Sequence, residues 1–530
     1  MESEYCVIGS GPAAVSAAVA LTRRGLRVLM LDAGLSLDER RRAIVSRLSQ
    51  SSPSGWRADD VQTLKEGMEA SATAIPLKRL YGSEYPFSTA GVPWKIDRGT
   101  TEVRPSFAKG GLSTVWGAGI LPFSPSDLAD WPIHPGALEP HYRQVFSFLP
   151  CAAVRDDLEE MYPIFSETPE ELEPSRQIQA FLHDARRART RLRACGIIIG
   201  RSRLAVAATS GMRPCACCGL CLYGCPYELI YSSEFTLRQL QSCPTFRYVP
   251  NFVVERLRED HGEVTVLGYD RLTGQATEAR AGRVLVGAGV IPSTKILLHS
   301  LDEFEVEVRI QDSLYFLMPL VRLRATPGLE SENLHTMAQA FIAIRNAKLC
   351  DFVIHLSVYT YNDLMLPSLK AAAGPLGRHA NWLWRELAAR MLVCGGYLHS
   401  RLSPGIRMRL SKTGGRTGIH LKAEEDPRPR AIVKRAATTL LKKAGSLRCV
   451  PLVPMIKYSQ PGRGFHCGGS FPMRHTRTPH TSDIEGRPYG FERVHLVDAS
   501  CFPSIPASTI TLGVMANAHR IATLAAARGA

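Results

Sequence analysis

Several familiar signals are missing from this chain, and each absence narrows what it can be. No run reaches roughly 18 uninterrupted apolar residues, so a spanning hydrophobic helix is not expected. No charged segment followed by an apolar core precedes the first expected strand at residue 4. Export by a signal peptide is therefore not expected, and the expected location is cytoplasmic, with membrane association peripheral at most. Internal repeats and low-complexity tails are absent. Aromatic residues make up only 8% and are not interleaved with the basic clusters, which argues against nucleic acid as a partner. Acidic residues are the minority charge: 49 Asp and Glu against 64 Lys and Arg, a net +15. That surplus suits an anionic surface or an acidic partner without choosing between them.

What is present is ordinary globular material: 530 residues, 45% hydrophobic, enough for two joined domains around a sizeable core. Segment 381–402 is apolar with interspersed arginines and reads as a helix, either on a membrane surface or buried over a substrate. The basic helix expected at 428–447 reads as a solvated face.

The stretch around which the rest is organised is residues 4–34. Glu4 to Ile8 is a short apolar strand, Gly9-Ser10-Gly11-Pro12-Ala13-Ala14 a glycine turn, and an Ala-rich helix then runs to Leu21. A second strand, Arg27 to Leu31, ends in Asp32. Gly9 permits the tight turn, Gly11 admits a pyrophosphate, Ala14 keeps helix and sheet close, and Asp32 suits a ribose. Further on, the segment from Lys109 to Gly119, with Gly110, Gly111, Ser113 and Trp116, would let backbone lie flat against a planar ligand or phosphate. Strands are expected over Arg247–Leu257, Glu263–Tyr269 and Arg283–Val286, the last entering a turn at Gly287. Residues 310–460 alternate apolar and polar, as in Phe352–Tyr361, and predict a separate antiparallel sheet.

Of 14 cysteines, five crowd into residues 215–225. Cys215, Cys218, Cys221 and Cys225 stand as C-x2-C-x2-C-x3-C-P, the spacing by which a loop presents thiolates to an iron–sulfur cluster. Zinc is the competitor, but it prefers two separated pairs, and no second pair follows. Near the other end come Phe465-His466-Cys467-Gly468-Gly469-Ser470, a strand ending in Asp498, and Ala499-Ser500-Cys501-Phe502-Pro503-Ser504-Ile505-Pro506 before a last Ala-rich helix.

With GSGPAA, GGLSTVWG, VLVGAGVIPS and LVDASCFPSIP in the right order, the chain resembles the glucose–methanol–choline flavoprotein oxidoreductases. The resemblance implies an α/β fold: an FAD-binding Rossmann-like domain (1–309 and 461–530, with a cysteine-rich insertion at 213–227) and an antiparallel-sheet substrate domain (310–460). It implies FAD held by Gly9, Gly11, Pro12, Ala13, Ala14 and Asp32, with Val254 beside the adenine. Gly110, Gly111, Ser113, Trp116, Gly287 and Asp498 would follow the rest of the cofactor. It implies His466 as the base that takes a proton from an alcohol while hydride passes to the flavin.

The family's second His or Asn falls on Ile505, which can do neither job, so Ser504, Ser508 or Thr509 would have to supply a hydroxyl. Ser508 is taken as the second catalytic residue. The cysteine run is similar to that of the multi-subunit sugar dehydrogenase large subunits. It implies a 3Fe–4S cluster on Cys215, Cys221 and Cys225, or a 4Fe–4S cluster if Cys218 joins. The expected function is an FAD-dependent dehydrogenase oxidising a sugar, polyol or other alcohol. Its electrons would leave through the cluster to a quinone, cytochrome or small redox protein, with a small subunit as a further partner. The alternatives are a flavin-dependent reductase or isomerase, and a non-catalytic electron-transfer subunit.

Overall fold

The computed structural model describes residues 1–66, 75–211, 213–329, 332–360, 386–414 and 416–528. At its centre is the strand Glu2–Ile8, whose second half is buried on both faces. It pairs in parallel with Val28–Leu31 on one side and Ala276–Val286 on the other, bringing Ile8 opposite both Leu31 and Val286. Phe246–Val249 extends the parallel side. Glu263–Asp270 and Phe252–Asp260 add antiparallel strands beyond Ala276–Val286. Val494–Leu496 slots in parallel beside the end of Ala276–Val286, so segments nearly the whole chain apart share one sheet.

The helix Pro12–Thr22 is apolar all round and correspondingly buried. It packs against the helix Thr511–Ala527, where the Ser16 hydroxyl donates to the Met515 carbonyl at 2.7 Å. The single strand expected over Arg247–Leu257 is broken at Pro250-Asn251. Proline brings no N–H to a ladder, and Asn251 turns the chain with φ 61°.

The second sheet runs in the order Cys449–Pro451, Tyr315–Arg322, Met391–Tyr397, Ile354–Thr360, Ala340–Ile344, Ile197–Arg201, antiparallel throughout. Its last strand comes from well before residue 310. Alternation sorts Tyr315–Arg322 cleanly: Phe316, Met318 and Leu320 enter a core shared with the helices Arg176–Arg187 and Arg428–Leu441, while Tyr315, Leu317 and Pro319 face a cavity. The helix expected at 381–402 is corrected here. Residues 391–397 are a central strand, and 381–385 lie outside the described residues. A strand with neighbours on both sides and both faces covered is apolar without alternation, and periodicity cannot tell it from a buried helix.

A third sheet, Cys467–Gly468, Glu307–Asp312, Ile406–Thr413, Arg416–Ala423 and Lys95–Asp97, ties the other two together. Where it meets the first sheet, Lys295 is completely buried. Its ammonium lies 2.6 Å from the Glu255 carboxylate and 4.3 Å from the centre of the Trp94 ring. The same carboxylate accepts from Trp94 Nε1 and, at 3.1 Å, from the Thr417 hydroxyl. Among the described residues no helix is long and apolar enough to cross a membrane.

Candidate active site

A cavity of about 570 Å³ lies between the carboxyl ends of the first sheet and one face of the second. The glycine turn builds one end. Gly9 has φ +95°, and a Cβ there would stand 2.7 Å from the Gly287 carbonyl, so two turns meet where only glycine fits. At Gly11 a Cβ would meet nothing within 4 Å, because that backbone opens onto the cavity. The helix behind it begins without a side-chain cap, with Pro12 in its first turn and no acid there. Its free amides and dipole end favour an anion.

Asp32 accepts from the Ser10 hydroxyl at 2.6 Å and from the Tyr248 hydroxyl at 3.0 Å, and burial raises its carboxyl to about 6. Ser10 also accepts from the Gly110 N–H at 2.9 Å, while Ser113 donates to the Gly110 carbonyl at 2.6 Å. These bonds fasten the second glycine segment onto the first turn. Gly111, Ser113 and Trp116 line the cavity, and Gly110 stands just behind them. Asp498 accepts from the Gly289 N–H at 2.8 Å and the Ser293 hydroxyl at 2.5 Å, fixing the turn after Gly287. Gly9, Gly11, Pro12, Ala13, Asp32, Gly111, Ser113, Trp116, Gly287 and Asp498 thus come together on one wall. Ala14 and Val254 do not reach it: Ala14 packs beneath Gly287, and Val254 is buried in its strand opposite Gly268.

The other end holds His466. Its ring stacks on Tyr397, centroids 4.4 Å apart and 19° between planes. Its Nδ1 is buried without a hydrogen-bond partner, and burial lowers the imidazole to about 4. Its carbonyl accepts from the Ser313 N–H at 3.0 Å, and the adjoining Cys467 pairs with Asp312, whose carboxyl burial raises to about 7.

Ile505 is fully buried; its N–H donates to the Ser400 hydroxyl at 2.9 Å, and its side chain abuts Gly468. Of the hydroxyls expected nearby, those of Ser508 and Thr509 are both buried without partners, but only Thr509 lies on the cavity wall. Ser504 accepts from Trp131 Nε1 at 3.1 Å instead. Sequence reading passed over Tyr315, Tyr359 and Tyr397, which line the cavity from three adjacent strands. The alternation at Tyr315–Arg322 and 354–360 was the signal that pointed to the first two.

Cys215, Cys218, Cys221 and Cys225 lie in one loop, turned by Cys217 at φ 49° and Gly219 at φ 76°. Among the described residues no group of three or more His, Cys, Asp or Glu side chains converges to hold a metal. Cys215 is engaged with Cys217, whereas burial raises Cys218 to about 12 and Cys225 to about 11. As placed, these thiols do not form the ligand set their spacing predicted.

No family model matches the chain, and no curated protein does. Solved structures do. Pyridoxine 4-oxidase from Mesorbium loti superposes with a TM-score of 0.59 at 15% identity, covering 98% of this chain and 99% of the other. Two single-residue variants of formate oxidase from Aspergillus oryzae RIB40, examined for FAD modification, give 0.58 at 14% identity, with 99% and 98% coverage. The fold is therefore the expected one: α/β, Rossmann-like, with an antiparallel sheet over the cavity.

Proposed function

We propose that this chain is an FAD-dependent oxidoreductase that oxidises a CH–OH group to a carbonyl. One observation carries the reading: a single cavity joins the Gly9–Ala13 turn to the imidazole of His466. The residues fit the cofactor. The uncapped helix start and the open face of Gly11 would take its pyrophosphate, Asp32 its ribose, and the Gly111–Trp116 wall its ring system. When bound, FAD supplies the electron-pair acceptor for hydride.

The protein's own part is proton control and exclusion of water. At neutral pH His466 is uncharged, since burial holds it at about 4, and a neutral ring can accept the hydroxyl proton as the C–H bond breaks. Tyr397 holds the ring by stacking, which leaves its in-plane nitrogen lone pair for the substrate. Thr509 offers the hydroxyl that Ile505 cannot. The helix Thr511–Ala527 starts beside it without an acid in its first turn, and so favours negative charge at that edge of the cavity.

The electron acceptor divides into two readings. The cysteine spacing supports a one-electron exit to a redox partner, whereas the likeness to oxidases supports dioxygen. Among the described residues no ligand set converges at the cysteines. Anaerobic bleaching of bound flavin by an alcohol panel tests the proposal. Bound flavin that no alcohol bleaches, with turnover indifferent to His466→Ala, would return the chain to a reductase or electron-carrier role. Iron and acid-labile sulfide analysis then decides between the two exits.

A further inference from the structure

The half of the cavity around His466 is walled mostly by carbon: Val115, Leu317, Pro319, Phe341, Met391 and Val393 all face it. Its polar groups are the three phenols with Ser357 and Thr509. Among the described residues neither Asn nor Gln lies on the wall, and its two carboxylates, Asp32 and Asp498, are on the dinucleotide side and already accept from two or more protein donors each. A sugar has hydroxyls on every face and would forfeit hydration against such a surface, whereas a hydrocarbon skeleton would gain from it.

Among the described residues the charge on the wall is mostly cationic. Lys78, Arg104, Lys457 and Arg463 line it. Lys78 donates to the Trp116 carbonyl at 2.7 Å, and Arg463 donates to the Pro76 carbonyl at 2.5 Å. Arg104 is half-buried and makes no hydrogen bond or ion pair among the described residues. Its guanidinium lies 5.8 Å from the centre of the Phe87 ring, and Phe87 stacks at 5.7 Å on Phe465, the residue before His466. That chain of contacts sets Arg104 at the substrate end. A partly desolvated guanidinium with its donors unspent wants a planar anionic acceptor.

We infer that the alcohol received here is an extended or fused-ring hydrocarbon that also bears a carboxylate, with the carboxylate paired to Arg104 and the carbinol at His466. The inference rests on the alcohol-oxidation reading and narrows its substrate.

The test uses the flavin-loaded full chain and matched probes: ω-hydroxylaurate and lithocholate, each beside its methyl ester, with glucose as the polyol. One acid is expected to bleach the flavin with kcat/KM about tenfold or more above its ester, the worth of one charge-assisted pair. Arg104→Gln should remove that preference by raising KM for the acid alone, and Arg104→Lys should restore part of it. Laurate, which has no carbinol, should perturb the flavin spectrum and bind Arg104→Gln about tenfold more weakly.

Equal rates for acid and ester, a preference for glucose, or a substitution that weakens acid and ester alike would overturn the inference and leave alcohol oxidation standing. Loss of flavin from Arg104→Gln would assign the arginine to the cofactor and overturn it too. No bleaching by any alcohol would sink both readings.

Discussion

Replacing Lys295 with methionine tests the account of how the sheets are joined. The Glu255 carboxylate is held at about 2 against an ordinary 4.5, because His299, Lys295 and Trp94 outweigh its desolvation. The Lys295 ammonium is lowered from 10.5 to about 8, because burial outweighs its pairing with Glu255. The signs oppose: its partners favour the charged carboxylate, whereas burial works against the charged ammonium. A buried ion pair contributes little net stability, whereas one half left without the other is costly.

Lys295→Met leaves a buried carboxylate without its main counter-charge and should cost about 3–5 kcal/mol, on the order of 3–5 °C in Tm for a chain of this length. Adding Glu255→Gln to Lys295→Met should recover most of that loss, because both charges are then gone and the volumes are kept. The sign of the pH dependence follows. The Glu255 contribution is complete above about 4.5 and is lost as pH falls towards 2, so Lys295→Met should narrow its gap to wild type in acid. Thermal unfolding followed by tryptophan fluorescence at a fixed scan rate reads all three. A single variant as stable as wild type, or a double variant no better than the single, refutes the reasoning.

Other outcomes follow from the cavity. His466→Asn should keep its flavin and lose about 10²–10⁴-fold in kcat. In the wild type, kcat/KM should fall as pH drops through about 4, because the base works only when uncharged; a flat acid limb on the intact holoenzyme contradicts the role. Gly9→Ala would push a methyl group against the Gly287 carbonyl in a left-handed backbone, so the purified variant should show little flavin absorbance per chain. Thr509→Val should slow turnover about tenfold whereas Ser508→Ala should leave it nearly unchanged, since only Thr509 faces the cavity; equal effects would mean that the wall has been misread.

Legibility in the sequence followed locality. The turn at Gly9–Ala14 and Asp32 could be read outright, because strand, turn and helix are contiguous and each residue's role is set by near neighbours. His466 and Asp498 were legible only through resemblance, since what gives them meaning is a wall made hundreds of residues away. Ile505 has no group to exchange a proton, and whether Ser508 or Thr509 reaches the cavity depends on which way one turn of backbone faces. The strand 391–397 was taken for a helix because central burial erases alternation. The cysteine spacing promised convergence that depends on rotamers and loop path, and among the described residues these bring no ligand set together.

The sheet begun by Glu2–Ile8 receives Val494–Leu496 only after most of the chain has left the ribosome. At about 5–20 residues per second, that delay is roughly 25–100 s. Until then the outer face of the helix Pro12–Thr22 and, once it is made, one edge of Ala276–Val286 stand uncovered, because Thr511–Ala527 and Val494–Leu496 have yet to be made. If the cofactor binds as proposed, its site is complete only once His466, Asp498 and the start of the last helix have been made.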